Sequence, residues 1–241
     1  TLAAIVLGPW AGTLVMTAVI AVQALLFQDG GLLVMGWNIL NMGVITAFTG
    51  FAVYMLVVRF LGSTTRSRLI GGFLGAWLSV VVSAIATAIE LAISGTSPLH
   101  LGLPAMAGVH SLIGLGEAVI TVGAIGLMQA NRPQVLTTGE TAPGRRTATF
   151  TLAGLLVALG VAAFSPLASA HPDGLEFIAE MQGFLGLAQN PAYELMPDYT
   201  LPFLSDPVLT TILAVAVGTL LVFGLVWFIA RSSVQRSTVG D

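Results

Sequence analysis

Leu69–Ser94 reads LIGGFLGAWLSVVVSAIATAIELAIS, and Glu90 is the one ionisable side chain in the run. A helix that crosses a bilayer needs about 20 mostly apolar residues, because hydrocarbon supplies no water to satisfy an exposed backbone. This stretch meets that length. The rest of the chain is of the same kind: 56% of its 241 residues are hydrophobic and 8% are charged, against the roughly 25% charged of a soluble domain. A bilayer is the expected surrounding. The predicted fold class is therefore an all-α integral membrane protein, a polytopic helix bundle of about four complete spans plus the end of another. A two-span hairpin with an exterior loop follows it.

Working outward from Leu69–Ser94, five further runs have the required length: Pro9 to Phe27, Gly36 to Leu61, Ala105 to Ala130, Thr149 to Ala168 and Leu209 to Ala230. Thr1 to Leu7 reads as the tail of a span already under way, turned at Gly8-Pro9, with Pro9 opening the next helix. No basic region stands before that first run, which reads as an internal start rather than a signal peptide. Arg145 to Ala170 imitates a signal peptide, but the preferred reading is an internal span. All eight basic residues fall on one side of this map: Arg59, Arg66, Arg68, Arg132, Arg145, Arg146, Arg231 and Arg236. The positive-inside rule makes those segments and the C-terminus cytoplasmic. The exterior segments are then Gln28 to Met35, Gly95 to Pro104 and the long loop 169–208, and they carry most of the acidic residues. The polar segment QVLTTGETAPGRRT divides the chain. The expected organisation is a membrane domain over 1–133, a cytoplasmic linker over 134–148 and a second domain over 149–241.

Absent residue types narrow the function. Without Cys there are no disulfides, thiolate metal sites or cysteine nucleophiles. Without Lys there is no Walker A loop, so ATP hydrolysis of that class would need a separate subunit. A net charge of −3 favours no nucleic-acid partner. No Ser or Asp pair lies at a plausible catalytic depth, so an enzyme is not expected.

Ionisable groups inside a span cost about 2.5 kcal/mol or more, and there are three: Glu90, His110 and Glu117. Counted along their helices, Glu90 and His110 each lie about 7 Å below the exterior surface, on helices expected to be antiparallel neighbours, so the two are expected to meet. Glu117 lies two turns deeper on the face of His110. Gln23, Asn38 and Asn41 are placed at the exterior depth of Glu90 and His110, forming with them a polar vestibule. Interhelical hydrogen bonding would explain any one of these residues equally well. Imidazole suits nickel, cobalt, copper or zinc, and amides and carboxylates suit harder ions. A metal site and a proton relay both stay open. The glycines of GGFLGA, GVITAFTGF and HSLIGLGEA are read as close helix packing.

In the exterior loop, HPDGLEFIAEM gathers His171, Asp173, Glu176 and Glu180 within ten positions. A short amphipathic helix is predicted from Gly174 over the exterior mouth, with Leu175, Ile178, Met181 and Leu185 on its buried face. Tyr193, Tyr199 and Phe203 are expected to anchor at the membrane interface.

The run VLGPWAGTLVMTAVIAVQALLFQDGGLLVMGWNILNMGV, Val6–Val44, resembles the CbiM/NikM family, and GVHSLIGLGEAVIT, Gly108–Thr121, resembles that family's last helix. The likeness extends from Thr1 to Asn131. Thr149 to Ala230, with PDGLE at Pro172–Glu176, resembles the accessory subunit CbiN and the related PDGLE domain. The resemblance implies the substrate-capture component of an energy-coupling factor importer in a bacterial or archaeal cytoplasmic membrane. Its transported substrate would be Co2+ or Ni2+, in the service of cobalamin biosynthesis or nickel use, with no resident cofactor. The implied partners are a transmembrane coupling subunit like CbiQ or NikQ and cytoplasmic ATPases like CbiO or NikO. The accessory domain would assist metal loading through His171, Asp173 and Glu176. The family's primary ligands, a Met-His start and a further His, are expected upstream of Thr1 and no position here matches them. Gln23, Asn38, Asn41, Glu90, His110 and Glu117 remain candidates for the pocket wall. The alternative is an ion-coupled secondary transporter with Glu90 and Glu117 as its relay.

Overall fold

The computed structural model describes residues 1–137, 145–168, 172–188, 193 and 195–237, with only the backbone of 137, 145–147 and 232–237. Glu140, His171, Glu194 and Asp241 lie outside the described residues, as does much of the expected linker. The described elements are helical: α1 Leu2–Leu7, α2 Pro9–Phe27, α3 Gly31–Leu61, α4 Thr65–Ile93, α5 Leu99–Asn131, α6 Pro133–Thr137, α7 Arg145–Ala162, α8 Gly174–Gln182 and α9 Pro207–Ser237. Among them α2, α3, α4, α5 and α9 are long and apolar enough to cross a membrane. The chain is a multi-pass membrane protein.

Several helix boundaries differ from the sequence expectation. α3 starts at Gly31 rather than Gly36, and α5 at Leu99 rather than Ala105. Pro104 was expected to precede α5, yet it sits inside its second turn; Pro98, in extended conformation, is the residue that opens the helix. α7 stops at Ala162 instead of Ala168, because Pro166 supplies no N–H to continue the ladder and the chain passes into a 3-10 turn at Ser165–Leu167. Its described apolar part, Ala148–Ala162, is about 22 Å long.

The chain forms two compact units: Thr1–Met16, Trp37–Thr141 and His171–Asn190 in the first, and Thr17–Gly36, Ala142–Ala170 and Pro191–Asp241 in the second. In the first unit α4 is the central helix, packed on α3 and α5. A capping box starts it: the Thr64 hydroxyl accepts from the Ser67 amide, and the Ser67 hydroxyl accepts from the Thr64 amide. Glycines then bring the backbones together. A Cβ on Gly75 would lie 2.6 Å from the carbonyl oxygen of Gly50, and one on Gly71 would lie 3.2 Å from that of Tyr54. Gly72 faces Ile125, which is fully buried, and Gly114 makes room for the ring of Trp77. The Trp77 indole N–H donates to the Ser111 carbonyl at 3.0 Å, tying α4 to α5. Lipid-compatible side chains such as Leu33, Phe60 and Leu112 point outward.

The second unit has its own small core of Phe27, Met196, Leu201 and Ala214. Phe27 stacks on Tyr199 with centroids 4.4 Å apart, and Gly218 leaves space for the same ring. The Tyr199 hydroxyl donates to Asp29 Oδ2 at 2.8 Å, and that of Tyr193 donates to the Leu25 carbonyl at 2.9 Å. Burial, with the Asp29 carboxylate beside it, holds the Tyr199 hydroxyl well above the usual phenol range. Tyr193 and Tyr199, expected as interface anchors, are instead committed to the end of α2; Phe203 stays exposed.

Candidate functional site

Two hydrogen-bonded groups in the first unit contain candidate residues. The first is built where α3 changes pitch. Over Ile39–Ile45 the helix is π-helical, an i→i+5 arrangement that is rare and frequent at functional sites. Asn41 lies in this segment with its side chain turned inward, 5% exposed. Its amide Nδ2 donates to Glu90 Oε2 at 2.8 Å and to Thr87 Oγ1 at 3.2 Å, both on α4. Thr87 donates its own proton to the Ser83 carbonyl. Asn41 Oδ1 is buried and has no hydrogen-bond partner. Asn38 is half-buried, one α-helical turn earlier on α3.

The second group centres on His110. Its Nδ1 lies 2.9 Å from the Met106 carbonyl oxygen. A carbonyl only accepts, so Nδ1 carries a proton, and the neutral imidazole held this way turns its lone pair to Nε2, the form in which imidazole binds transition metals. Gly174, at the start of α8, sits against this ring. A Cβ there would lie 2.6 Å from Cε1 and 3.1 Å from Nε2. Glycine is what permits the contact.

Glu90 and His110 were expected to meet, and among the described residues no ion pair joins them. The earlier start of α5 explains the separation. Eleven residues separate Leu99 from His110, about 17 Å along the helix, whereas Glu90 lies about 5 Å from the end of α4 at Ile93. The common depth expected for Asn38, Asn41, Glu90 and His110 therefore does not hold for His110. Glu117 is exposed on α5. Gln23, the first residue of a second π-helical stretch, Gln23–Phe27, is half-buried and belongs to the other unit.

α8 is a docked helix, although not in the predicted position or on the predicted face. It runs along the α4–α5 seam rather than over a mouth, from His110 at Gly174 to Ser97 at Gln182. Ile178 is 1% exposed among Ala84, Ala88 and Met106, and the Ser97 hydroxyl donates to Gln182 Oε1. The buried face is Gly174, Ile178 and Ala179. Leu175 and Met181 are exposed. Ile178 is a helical neighbour of Leu175 at i, i+3 and of Gly174 at i, i+4, so either stripe can include it, and the Cβ-free Gly174 is the one that fits against His110. Asp173 is the N-cap: its Oδ1 accepts from the amides of Leu175 and Glu176, each at 2.8 Å. Glu176 and Glu180 are exposed, Glu176 within the first turn where the helix dipole favours an acid.

Sequence reading missed Thr87, Ser97, Gly174 and Gln182. Thr87 had a usable signal, standing three residues before Glu90 on one helix face. Among the described residues no group of three or more His, Cys, Asp or Glu is spaced to hold a metal.

Comparison with known proteins gives two family matches. Residues 1–135 match CbiM, the cobalt uptake substrate-specific transmembrane region, and residues 148–234 match the PDGLE domain. A relative from Archaeoglobus fulgidus, named as a fused nickel transport protein NikMN, is 37% identical over 233 residues, covering 95% of this chain and 75% of that protein. The fused nickel transport protein NikMN of Rhodobacter capsulatus is 30% identical over 149 residues, 56% of this chain and 43% of the relative. The cobalt transport protein CbiM of Sorangium cellulosum is 32% identical over 137 residues, 56% and 61% of the two chains. The chain thus spans three quarters of the length of the first relative and less than two thirds of the other two. No solved structure matches.

Proposed function

This chain belongs to the CbiM family of cobalt-uptake transmembrane proteins and carries a PDGLE domain behind that region, and from that membership we propose that it captures a divalent transition metal, cobalt or nickel, for an ATP-driven importer of the energy-coupling factor type. The metal is substrate, not a resident cofactor. The docking of α8 against His110 is the observation that carries the reading. The helix of the PDGLE domain sits on the one described imidazole whose Nε2 lone pair is set by a hydrogen bond, and Nε2 is the donor type that nickel and cobalt favour. The accessory domain is then a loading device: α8 covers His110 and delivers or releases the ion there.

The arginines at the start of α4 and at the end of α3, α5 and α9 support, by the positive-inside rule, an orientation with those ends in the cytoplasm. That orientation puts α8 and loop 169–208 outside, so the ion is taken from the exterior. Since the chain has no Lys for a phosphate loop, ATP is hydrolysed by separate cytoplasmic subunits, and a transmembrane coupling subunit transmits the motion. The organisation is a capture domain over 1–133, a linker over 134–148 and an accessory domain over 149–241. Asn38, Asn41 and Glu90 stand as further pocket candidates, with Asp173 positioning α8 as its cap and His171 and Glu176 offered as loading residues.

Radiolabelled nickel and cobalt uptake in cells tests this. Uptake is expected to vanish when the ATPase subunits are removed and to persist with an uncoupler. The opposite pattern would assign the chain to ion-coupled secondary transport through Glu90 and Glu117, a reading weakened by the exposure of Glu117.

A further inference from the structure

We propose that the segment 195–201, with Tyr193 beside it, is a sprung clasp on the end of α2, closed in the structure and opened during transport; its use in transport rests on the importer reading above. Rare conformations gather at this contact. α2 ends in the π-helical turn Gln23–Phe27, and the next residue, Gln28, is left-handed with φ 60°. On the segment that meets it, Asp198 and Tyr199 are left-handed in succession, with φ 49° and 57°. Among the described residues these three are the non-glycine residues of positive φ. A side chain in that region crowds its own backbone, and a bulky ring such as that of Tyr199 suffers most. Such conformations persist only where surrounding contacts outweigh their cost, and they cluster at clamps and switch regions.

The opposing contacts are specific. The Tyr199 ring stacks on Phe27 with centroids 4.4 Å apart, and its hydroxyl donates to Asp29 Oδ2 at 2.8 Å. The Met196 amide donates to the Leu26 carbonyl at 3.1 Å, and the Tyr193 hydroxyl to that of Leu25 at 2.9 Å. Both carbonyls lie in the last turn of α2, where the helix has no further amide to offer them. At the far end of the segment, the Leu201 amide donates to the Thr210 hydroxyl of α9. The segment is thus pinned at Met196 and Leu201 and bent between them.

Strain held by a few breakable contacts makes a two-state element. Once Tyr199 leaves Phe27 and Asp29, the backbone gains by leaving the left-handed region, so the clasp opens as a unit. Its load is α2. That helix runs from Pro9 to Phe27, and its first half, to Met16, belongs to the first unit. There Gly12 packs against the backbone of Ala4, and Trp10 meets Phe48 edge-on. A helix gripped at one end and clasped at the other tilts with the capture region only when the clasp is open.

Asp198 gives the test, because none of those contacts uses its side chain. The purified full chain in lipid nanodiscs is compared with Asp198→Gly, which removes the crowding, and Asp198→Val, which adds to it. Amide hydrogen exchange over 195–201 reads the clasp. It is expected to slow severalfold in Asp198→Gly and to quicken about tenfold in Asp198→Val, with α4 unchanged in both. Radiolabelled nickel uptake in cells holding all subunits should fall severalfold in both, since one variant resists opening and the other closing. Exchange in Asp198→Gly as fast as in the native chain overturns the stored strain, whether or not Asp198→Val folds. Slower exchange with native uptake overturns the need for opening. A native chain that takes up neither nickel nor cobalt defeats the importer reading and the clasp's use in transport, while exchange in Asp198→Gly still decides the stored strain.

Discussion

The two halves of α4 are held by opposite means. Toward its arginine end, Gly71 and Gly75 let α3 approach until backbone meets backbone, and Gly72 receives the buried Ile125 side chain of α5. Toward the α4–α5 turn, Thr87 and Glu90 reach across to a buried amide, and the seam with α5 is filled by a helix from a distant part of the chain. Backbone contact is dry and cannot be remade in small steps. Polar bonds and a docked helix can be exchanged one partner at a time. A transporter needs both kinds of contact on one helix: a fixed half to move as a body, and a half that can exchange partners.

Substitutions at Gly75, Gly174, Asp173 and Tyr199 would break or sharpen that contrast. Gly75→Val should have the largest effect, about 3 kcal/mol, because the added Cβ meets the Gly50 carbonyl rather than a side chain that can turn away. Denaturant unfolding in detergent would read it, with Gly116→Val, where nothing lies within 4 Å, as the near-neutral control. In the exchangeable half, Gly174→Leu should push α8 off His110. Amide hydrogen exchange over 174–182 should quicken and metal uptake fall severalfold, while global stability changes by less than in Gly75→Val. Asp173→Ala should cost about 1 kcal/mol, confined to α8. Asp173→Asn should keep the cap, and a loss of uptake in that variant would show that the carboxylate meets the ion itself. The smallest effect belongs to the second unit, where Tyr199→Phe should cost at most about 1 kcal/mol. Since folding raises the Tyr199 pKa, the native contact keeps its full stability below the ordinary phenol value and loses it as pH rises above about 10. The Phe variant should lack that alkaline loss in a pH-dependent melting curve.

The spans could be read from sequence because a bilayer imposes both a length and a composition, and Leu69–Ser94 satisfies both with one charge. Helix ends were less legible. At Pro104 and Pro166 the outcome depends on whether the chain has already entered a helix, which hydropathy does not record. Rarity alone singled out Asn41, Glu90 and His110 as noteworthy. Their partners were not legible, because the depth of His110 depended on where α5 begins. The α8 face failed for another reason: Ile178 pairs by helical period with Leu175 as well as with Gly174, and the close approach of Gly174 to His110 decides between them.

Trp77 gives the α4–α5 pair a built-in optical gauge. Its indole is pinned to the carbonyl of Ser111, the residue after His110, while Trp10, Trp37 and Trp227 are exposed. With those three replaced by phenylalanine, the remaining fluorescence would shift in wavelength whenever that hydrogen bond stretches. A chain without cysteine would therefore need no attached dye to show, in real time, when α4 and α5 move relative to each other.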